Sequence, residues 1–349
     1  MYLPKFTITP EINSQIAEIE RLRTIVERSR ILPSREVVLR KRASIEATRS
    51  STGIEGNPLN EREVERVLAG DHVGGSDRFV TEVVNYKKAL SYIERLADGK
   101  DSFSVKNILA IHRLVMRNLL PKTKVGVFRK TPIYVVDIVG GKDILRYTGP
   151  QADSVSGLVN DLLNWLEQDA SALHPVLVAG ILHFEFVSIH PFADGNGRVT
   201  RLLTLLYLFW TQYAFRRVLV PDTYYFEDRK KYYAALNQAS TYTKQRSADM
   251  TPWLTYFVDG FLAAAQEITR KITAVSVSGG KGEIVTLTAD DYRIVDLIAS
   301  LGKAGIDDIV HAVELPKRTV QRRLQYLTDN DVLRRMGRGP ATTYTLKGK

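Results

Sequence analysis

Not one of the 349 residues is cysteine. Disulfide frameworks and thiolate metal sites are therefore excluded, and such usage suits a reducing compartment. Long apolar runs are missing as well. Stretches such as Leu202–Trp210 fall short of the roughly 20 residues a bilayer-crossing helix needs. The start, Met1-Tyr2-Leu3-Pro4-Lys5, has no basic segment followed by an apolar core, so no signal peptide is visible. The expectation is a cytoplasmic, bacterial-type protein without a membrane partner. Acidic residues are the minority charge, 39 against 49 Lys and Arg, leaving a net charge of +10. That surplus serves solubility, or it points to an anionic partner: nucleotide, nucleic acid or an acidic protein surface.

What is present is an ordinary globular balance, 44% hydrophobic and 25% charged, enough for one large domain and one or two small ones. Ile12, Ile16, Ile19, Leu22 and Val26 recur at helical spacing over 11–31. Pro33 stops that pattern, and the next helix runs from about Arg35 to Ser51 until Gly53, Gly56, Asn57 and Pro58 break it. Asn60 caps a helix to Leu68, and helices follow at 80–97 and 105–119. Residues 121–151 hold Gly126, Pro132, Gly140, Gly141, Gly149 and Pro150 around Ile133-Tyr134-Val135-Val136, which reads as a β-hairpin flap. Helices resume at 152–167, 174–189, 197–214, 226–240 and 250–272. Small residues over 273–285 mark a linker. Beyond it, helices at 289–301, 306–313 and from Pro316 to Leu327, then two short strands around Gly337 and Gly339, describe a winged helix.

One loop concentrates chemistry. The apolar run Phe184–Ile189 ends at His190, and Pro191 forbids simple continuation of the helix. Asp194-Gly195-Asn196-Gly197 then turns, and Arg198 opens a second apolar helix. Gly195 and Gly197 let backbone approach a ligand, and the helix start favours an anion. Arg198 and Arg201 share a helical face and offer two forks for phosphate oxygens. Asp194 supplies a hard oxygen for Mg²⁺, and His190 can act as a general base. Together these residues describe phosphoryl or nucleotidyl transfer. Read blandly, Gly-Asn is only a common turn signal and the arginines are solvated.

The segment His190 to Arg201 resembles the Fic-family signature, His-Pro-Phe-x-(Asp/Glu)-Gly-Asn-Gly-Arg-x-x-Arg, at every specified position. The likeness extends less sharply over about 35–260. It implies a mainly α fold: a Fic-type helical bundle with a hairpin flap, here followed by a small α+β winged helix. The implied division is an N-terminal helical region over 1–110 with an inhibitory helix near 35–56, a catalytic core over 111–272, the linker, and the winged helix over 286–349. It also implies a protein adenylyltransferase. His190 would deprotonate a Ser, Thr or Tyr hydroxyl of a target protein, or of the chain itself, for attack on the α-phosphate of ATP. Asp194 would hold Mg²⁺. Gly195, Asn196 and Gly197 would form the anion hole, with Arg198 nearby and Arg201 on the γ-phosphate. The Doc-like kinase branch replaces the second glycine with lysine; Gly197 stands here, which favours AMP transfer.

Ser51-Thr52-Gly53-Ile54-Glu55-Gly56 resembles the family's inhibitory motif, (Ser/Thr)-x-x-x-Glu-(Gly/Asn). It implies that Glu55 pairs with Arg201 and keeps the γ-phosphate out, as in the class whose inhibitory helix lies N-terminal in the same chain. Gly126–Arg129 and the flap sit where the family docks its targets, with Val139 and Gly140 facing the nucleotide. Tyr232 and Tyr233 resemble the pair lining the adenine pocket; packing is the other reading. His72, His112, His174, His183 and His311 form no cluster by spacing, and none is given a role. The tail from Leu315 to Lys349 carries nine Lys or Arg and two acids. Lys317, Arg318, Arg322 and Arg323 on one helix and Arg334, Arg335 and Arg338 on the wing suit DNA phosphates, and Thr319 and Gln321 could reach base edges. Protein docking is the other use of such a module, and homodimerisation fits the class. The alternative to an enzyme is a DNA-binding transcriptional regulator whose Fic core senses nucleotide.

Overall fold

The computed structural model describes residues 2–29, 31, 33–74, 76–99, 103–139, 142–275, 287–337, 339 and 342–347. The chain opens with α1 (Pro10–Arg28), α2 (Pro33–Ile54), α3 (Glu61–Ala69), α4 (Asp77–Ala97) and α5 (Val105–Val115). A hairpin of β1 (Tyr134–Val139) and β2 (Lys142–Thr148) follows. Then come α6 (Val155–Gln168), α7 (Pro175–Ile189), α8 (Asn196–Trp210), α9 (Asp222–Glu227), α10 (Arg229–Leu236), α11 (Tyr242–Ser247) and α12 (Thr251–Val275). The C-terminal unit has α13 (Ala289–Leu301), β3 (Ala304–Gly305), α14 (Ile306–Val313), α15 (Lys317–Asp329), β4 (Leu333–Met336) and β5 (Thr343–Leu346). The fold is mainly α, as the periodicity implied.

Capping fixes many of these starts. Asn60 and Glu63 exchange backbone bonds in a capping box before α3, and Thr288 and Asp291 do the same before α13. Several expected helices are shorter or divided: those expected to reach 31 and 214 end at Arg28 and Trp210. The segment expected over 226–240 splits at Asp228, whose non-helical backbone (φ −133°, ψ 78°) lets its carboxylate cap α10 through Lys231 N–H. The helix expected to reach 119 stops at Val115, because Asn118 turns left-handed at φ 61°. Position 110, the expected edge of the core, falls inside α5. Residues 273–275 of the expected linker continue α12, and its residues 276–285 lie outside the described ones.

At the centre stand α7 and α8, buried along nearly their whole circumference. Phe184, Phe186, Leu202, Leu206 and Phe257 of the surrounding core have no exposure, so the loop between α7 and α8 is held on a rigid base. A separate cluster under α2, α3 and α4 holds Ile45, Leu59, Val64 and Val83. The C-terminal unit has its own core of Ile294, Ile298, Val320, Leu324 and Leu333, which also takes in Val37 of α2. Its sheet runs β3-β5-β4, antiparallel throughout. Tyr292 docks this unit on α2: its hydroxyl donates to Glu36 at 2.9 Å and the Arg40 guanidinium lies over its ring.

Candidate active site

Why α7 ends where it does decides the site. His190 takes left-handed backbone, φ 49° and ψ 60°, and Pro191 prevents a further turn. Arg129 secures this bend from below. Its backbone N–H donates to Pro191 O at 2.9 Å, and its Nε donates to His190 O at 2.8 Å. Its two terminal nitrogens reach Thr131 O and Pro150 O, so a buried guanidinium joins loop and flap. The turn beyond is stapled by Asn196: Phe192 N–H donates to its Oδ1 at 2.8 Å and its Nδ2 donates to Phe192 O at 2.9 Å. The Phe192 ring stacks on His112 with centroids 3.8 Å apart. His112 accepts from Gly126 N–H at Nδ1, so its Nε2 carries the proton and donates to Asp194 O at 3.1 Å. Burial pushes the His112 imidazole down to about 4, so it stays neutral.

The half-buried His190 imidazole is oriented by its own helix. Its Nδ1 faces Val187 O at 2.9 Å. A carbonyl only accepts, so Nδ1 holds the proton, and in the neutral ring Nε2 keeps its lone pair. Burial lowers the imidazole pKa, against the bond to Val187 and the charge of Glu55, which raise it. A neutral ring with a free Nε2 is the state a general base needs.

Beside it α8 begins. Gly195, at φ 80°, makes the turn into the helix that a side chain would strain. The first amides of α8 have no acceptor within the helix and carry its positive dipole end. Arg198 adds charge. It is 3% exposed, and its Nε and Nη1 have no hydrogen-bond acceptor among the described residues. The Asp194 side chain is 42% exposed; its Oδ1 accepts from Gly195 N–H at 2.6 Å, while its Oδ2 meets, among the described residues, the Arg78 guanidinium at 3.8 Å. Lone pairs are thus left for a hard cation, and buried donors are left for an anion.

The place beyond Arg198 is taken. Arg201, 1% exposed, donates from Nη2 to Glu55 Oε1 at 2.7 Å, from Nε to Ser51 Oγ at 2.7 Å and from Nη2 to Ser51 O at 2.9 Å. Ser51 and Glu55 are one turn apart at the end of α2, so a single helix end delivers both, and Gly56 turns the chain away. Burial pushes the Glu55 carboxyl up, but Arg201 and Arg198 outweigh it and hold it below the usual carboxylate range. Burial likewise opposes the Arg201 charge, and Glu55, Tyr232 and Asp222 overcome it and raise the guanidinium pKa. A Cβ on Gly197 would lie 2.2 Å from Glu55 Oε1, so the missing side chain gives the carboxylate its room.

One expected assignment changes. Tyr232 is 1% exposed, donates or accepts at His183 Nε2 (2.9 Å) and stacks on Tyr225, so it belongs to the core behind Arg201. Tyr233 is the one that faces outward, with its hydroxyl 3.5 Å from Ile54 O. Gly140 lies outside the described residues, as does the side chain of Val139. The flap is an antiparallel pair with a bulge between Val135 and Val136, anchored by Tyr147 hydroxyl to Ser188 O at 2.6 Å. Tyr134, Val136, Ile144 and Leu145 stand exposed on it. His112 and Arg129 were missed as site residues. Both act on loop carbonyls from outside the signature, and only Gly126-Val127-Phe128-Arg129, noted beside the flap, hinted at the second.

Fold and site define a mainly helical protein in which the start of α8 stands beside a half-buried imidazole. Residues 102–208 match the Fic/DOC family. The chain is 31% identical over 263 residues to protein adenylyltransferase fic-1 of Caenorhabditis briggsae, covering 73% of the chain and 47% of that protein. It is 29% identical over 280 residues to protein adenylyltransferase Fic of Culex quinquefasciatus, covering 74% and 52%. The chain thus spans about half the length of these curated relatives. A crystal structure of a Fic family protein from Desulfovibrio desulfuricans G20 aligns over 100% of the chain and 99% of its own, with TM-score 0.65 and 29% identity. This chain is a Fic-domain protein.

Proposed function

We propose that the chain is a self-inhibited protein adenylyltransferase. The observation that carries this is the pairing of Glu55 with Arg201 beside a neutral, Val187-oriented His190. A protein that merely sensed nucleotide would need the anion-binding helix start but no base. With ATP bound, its phosphates would meet the first amides of α8, Arg198 and, once Glu55 withdraws, Arg201. Asp194 would hold Mg²⁺, which neutralises phosphate charge. A Ser, Thr or Tyr hydroxyl of a target protein gives its proton to His190 Nε2 as its oxygen bonds to the α-phosphorus. The bond to the β-phosphate bridging oxygen breaks, and pyrophosphate leaves. The exposed hairpin edge beside this centre can register a target backbone whatever its side chains. Tyr233 is the aromatic available to adenine.

Among the described residues no helix is long and apolar enough to cross a membrane. A cytoplasmic location and a homodimer fit the family and belong to this reading. Incubation with α-labelled ATP and Mg²⁺ tests it. Glu55→Gly should acquire label, and Glu55→Gly/His190→Ala should not. Equal label on both refutes His190 as the base.

A second reading concerns the C-terminal unit. Lys317, Arg318, Arg322, Arg334 and Arg335 are exposed on α15 and β4, and this supports a winged helix that binds DNA phosphates. A gel shift should show binding that weakens with salt; none at low salt overturns it.

A further inference from the structure

We infer that Glu82 of α4, outside the signature and the inhibitory motif, is a positioning residue for the phosphate-binding Arg198. A carboxylate is rarely buried without partners, and Glu82 is 6% exposed. Three donors converge on it. Arg198 Nη1 lies 3.5 Å from its Oε1, Arg78 Nε donates to the same oxygen at 3.3 Å, and Asn57 Nδ2 donates to Oε2 at 3.0 Å. Arg198 is held from its other side by Asp194 Oδ1, 3.5 Å from Nη2. Two carboxylates on different elements therefore bracket one buried guanidinium. Asp194 is partly exposed and stands ready for a cation. Once a cation takes it, Glu82 is the carboxylate that still restrains Arg198.

The position of Glu82 also explains an otherwise costly arrangement. Arg198 keeps Nε and Nη1 buried without hydrogen-bond acceptors. At 3.5 Å Glu82 steadies the charge without closing a full hydrogen bond on it. The guanidinium is thus oriented and still has donors to give to an anion. Through Asn57, two residues beyond Glu55, the same carboxylate ties down the chain leaving the inhibitory helix end. Asn57 Nδ2 also donates to Phe79 O and its Oδ1 accepts from Leu59 N–H, so this turn is fixed on α4.

This inference rests on Arg198 meeting phosphate, as proposed above, and not on turnover. The test is calorimetric titration of the full chain in a Glu55→Gly/His190→Ala background, with and without Glu82→Gln. Glutamine keeps the volume and an acceptor for Asn57 but removes the charge beside Arg198. ATP should bind about tenfold more weakly, the loss of one charge-assisted contact's worth of ordering. Adenosine, which has no phosphate, should bind equally to both. Should Glu82→Gln not fold, Glu82→Asp keeps the charge on a shorter arm and should show a smaller loss confined to ATP. Unchanged ATP affinity, or an equal loss for adenosine, overturns the inference. Absence of labelling by Glu55→Gly would remove the transferase reading, yet an ATP-selective loss would still establish Glu82.

Discussion

Replacing Glu55 with glycine should convert a closed phosphate site into an open one. The structure sets the size of the effect. Glu55 contributes one charge-assisted hydrogen bond of 2.7 Å to an arginine that is 1% exposed. Such bonds are worth about 1.5–3 kcal/mol. ATP must now break that bond to reach Arg201, and its γ-phosphate would then face a like-charged carboxylate. Removing Glu55 therefore favours productive ATP binding by roughly 1.5–3 kcal/mol, or about 10- to 100-fold, since about 1.4 kcal/mol is tenfold. The substitution also leaves Arg201 with less compensation. Ser51 Oγ, Ser51 O and Asp222, 3.9 Å away, remain, so the chain should melt a few degrees lower yet stay folded. ATP should restore the difference, because a ligand bound only to the folded state stabilises it. Calorimetric titration of wild type and Glu55→Gly with ATP and Mg²⁺ measures this. Equal dissociation constants would show that Arg201 is not the obstructed group.

Other expectations follow from the same contacts. Because burial depresses the His190 pKa, its base form persists below the ordinary histidine value of about 6.5. Labelling by Glu55→Gly should stay level down to that pH and fall only beneath it; a fall starting near neutrality contradicts this. Glu55 has a depressed pKa in the folded chain, so its contribution is present above the unfolded carboxylate value and is lost as pH falls through the folded one. Wild-type labelling should therefore remain low across neutral and mildly acidic pH. Glu185 behaves oppositely: burial lifts its carboxyl to about 7, against the bond from Tyr242, so the folded chain binds the extra proton below that pH. Its effect on stability should decline as pH rises from about 4.5 through 7, and Glu185→Gln should flatten that part of the melting profile. Arg129→Ala removes the ties to His190 O, Thr131 O and Pro150 O, and should lower the melting temperature and cut labelling by Glu55→Gly together. Tyr292→Ala removes the ring under Arg40 and the bond to Glu36, and should loosen α13 from α2, read as faster amide hydrogen exchange in α13; unchanged exchange there contradicts this.

The parts that could be read from residue order were those whose chemistry lies within one or two helical turns. His190 to Arg201 is contiguous, so its base, carboxylate, glycines and arginines showed their spacing directly. Glu55 was legible only because its short motif stood beside that signature; the bond to Arg201 joins positions 146 apart. Periodicity found the helices, and proline or glycine found most ends, but it could not foresee Asp228 dividing α9 from α10. Tyr232 and Tyr233 look equivalent in sequence. Successive side chains on a helix point about 100° apart, so one entered the core and the other faced out. His112 and Arg129 stood in the sequence without a role in the loop, and Glu82 was not singled out, because each acts on the site across long separations, through a carbonyl or a guanidinium rather than through a motif of its own.

Intact-mass spectrometry of Glu55→Gly after incubation with ATP and Mg²⁺ tests the central claim most directly. An adduct with the mass of an adenylyl group on a protein hydroxyl, absent when His190 is also replaced by alanine, is the expected result. A phosphoryl adduct, or an adenylyl adduct that persists without His190, would contradict it.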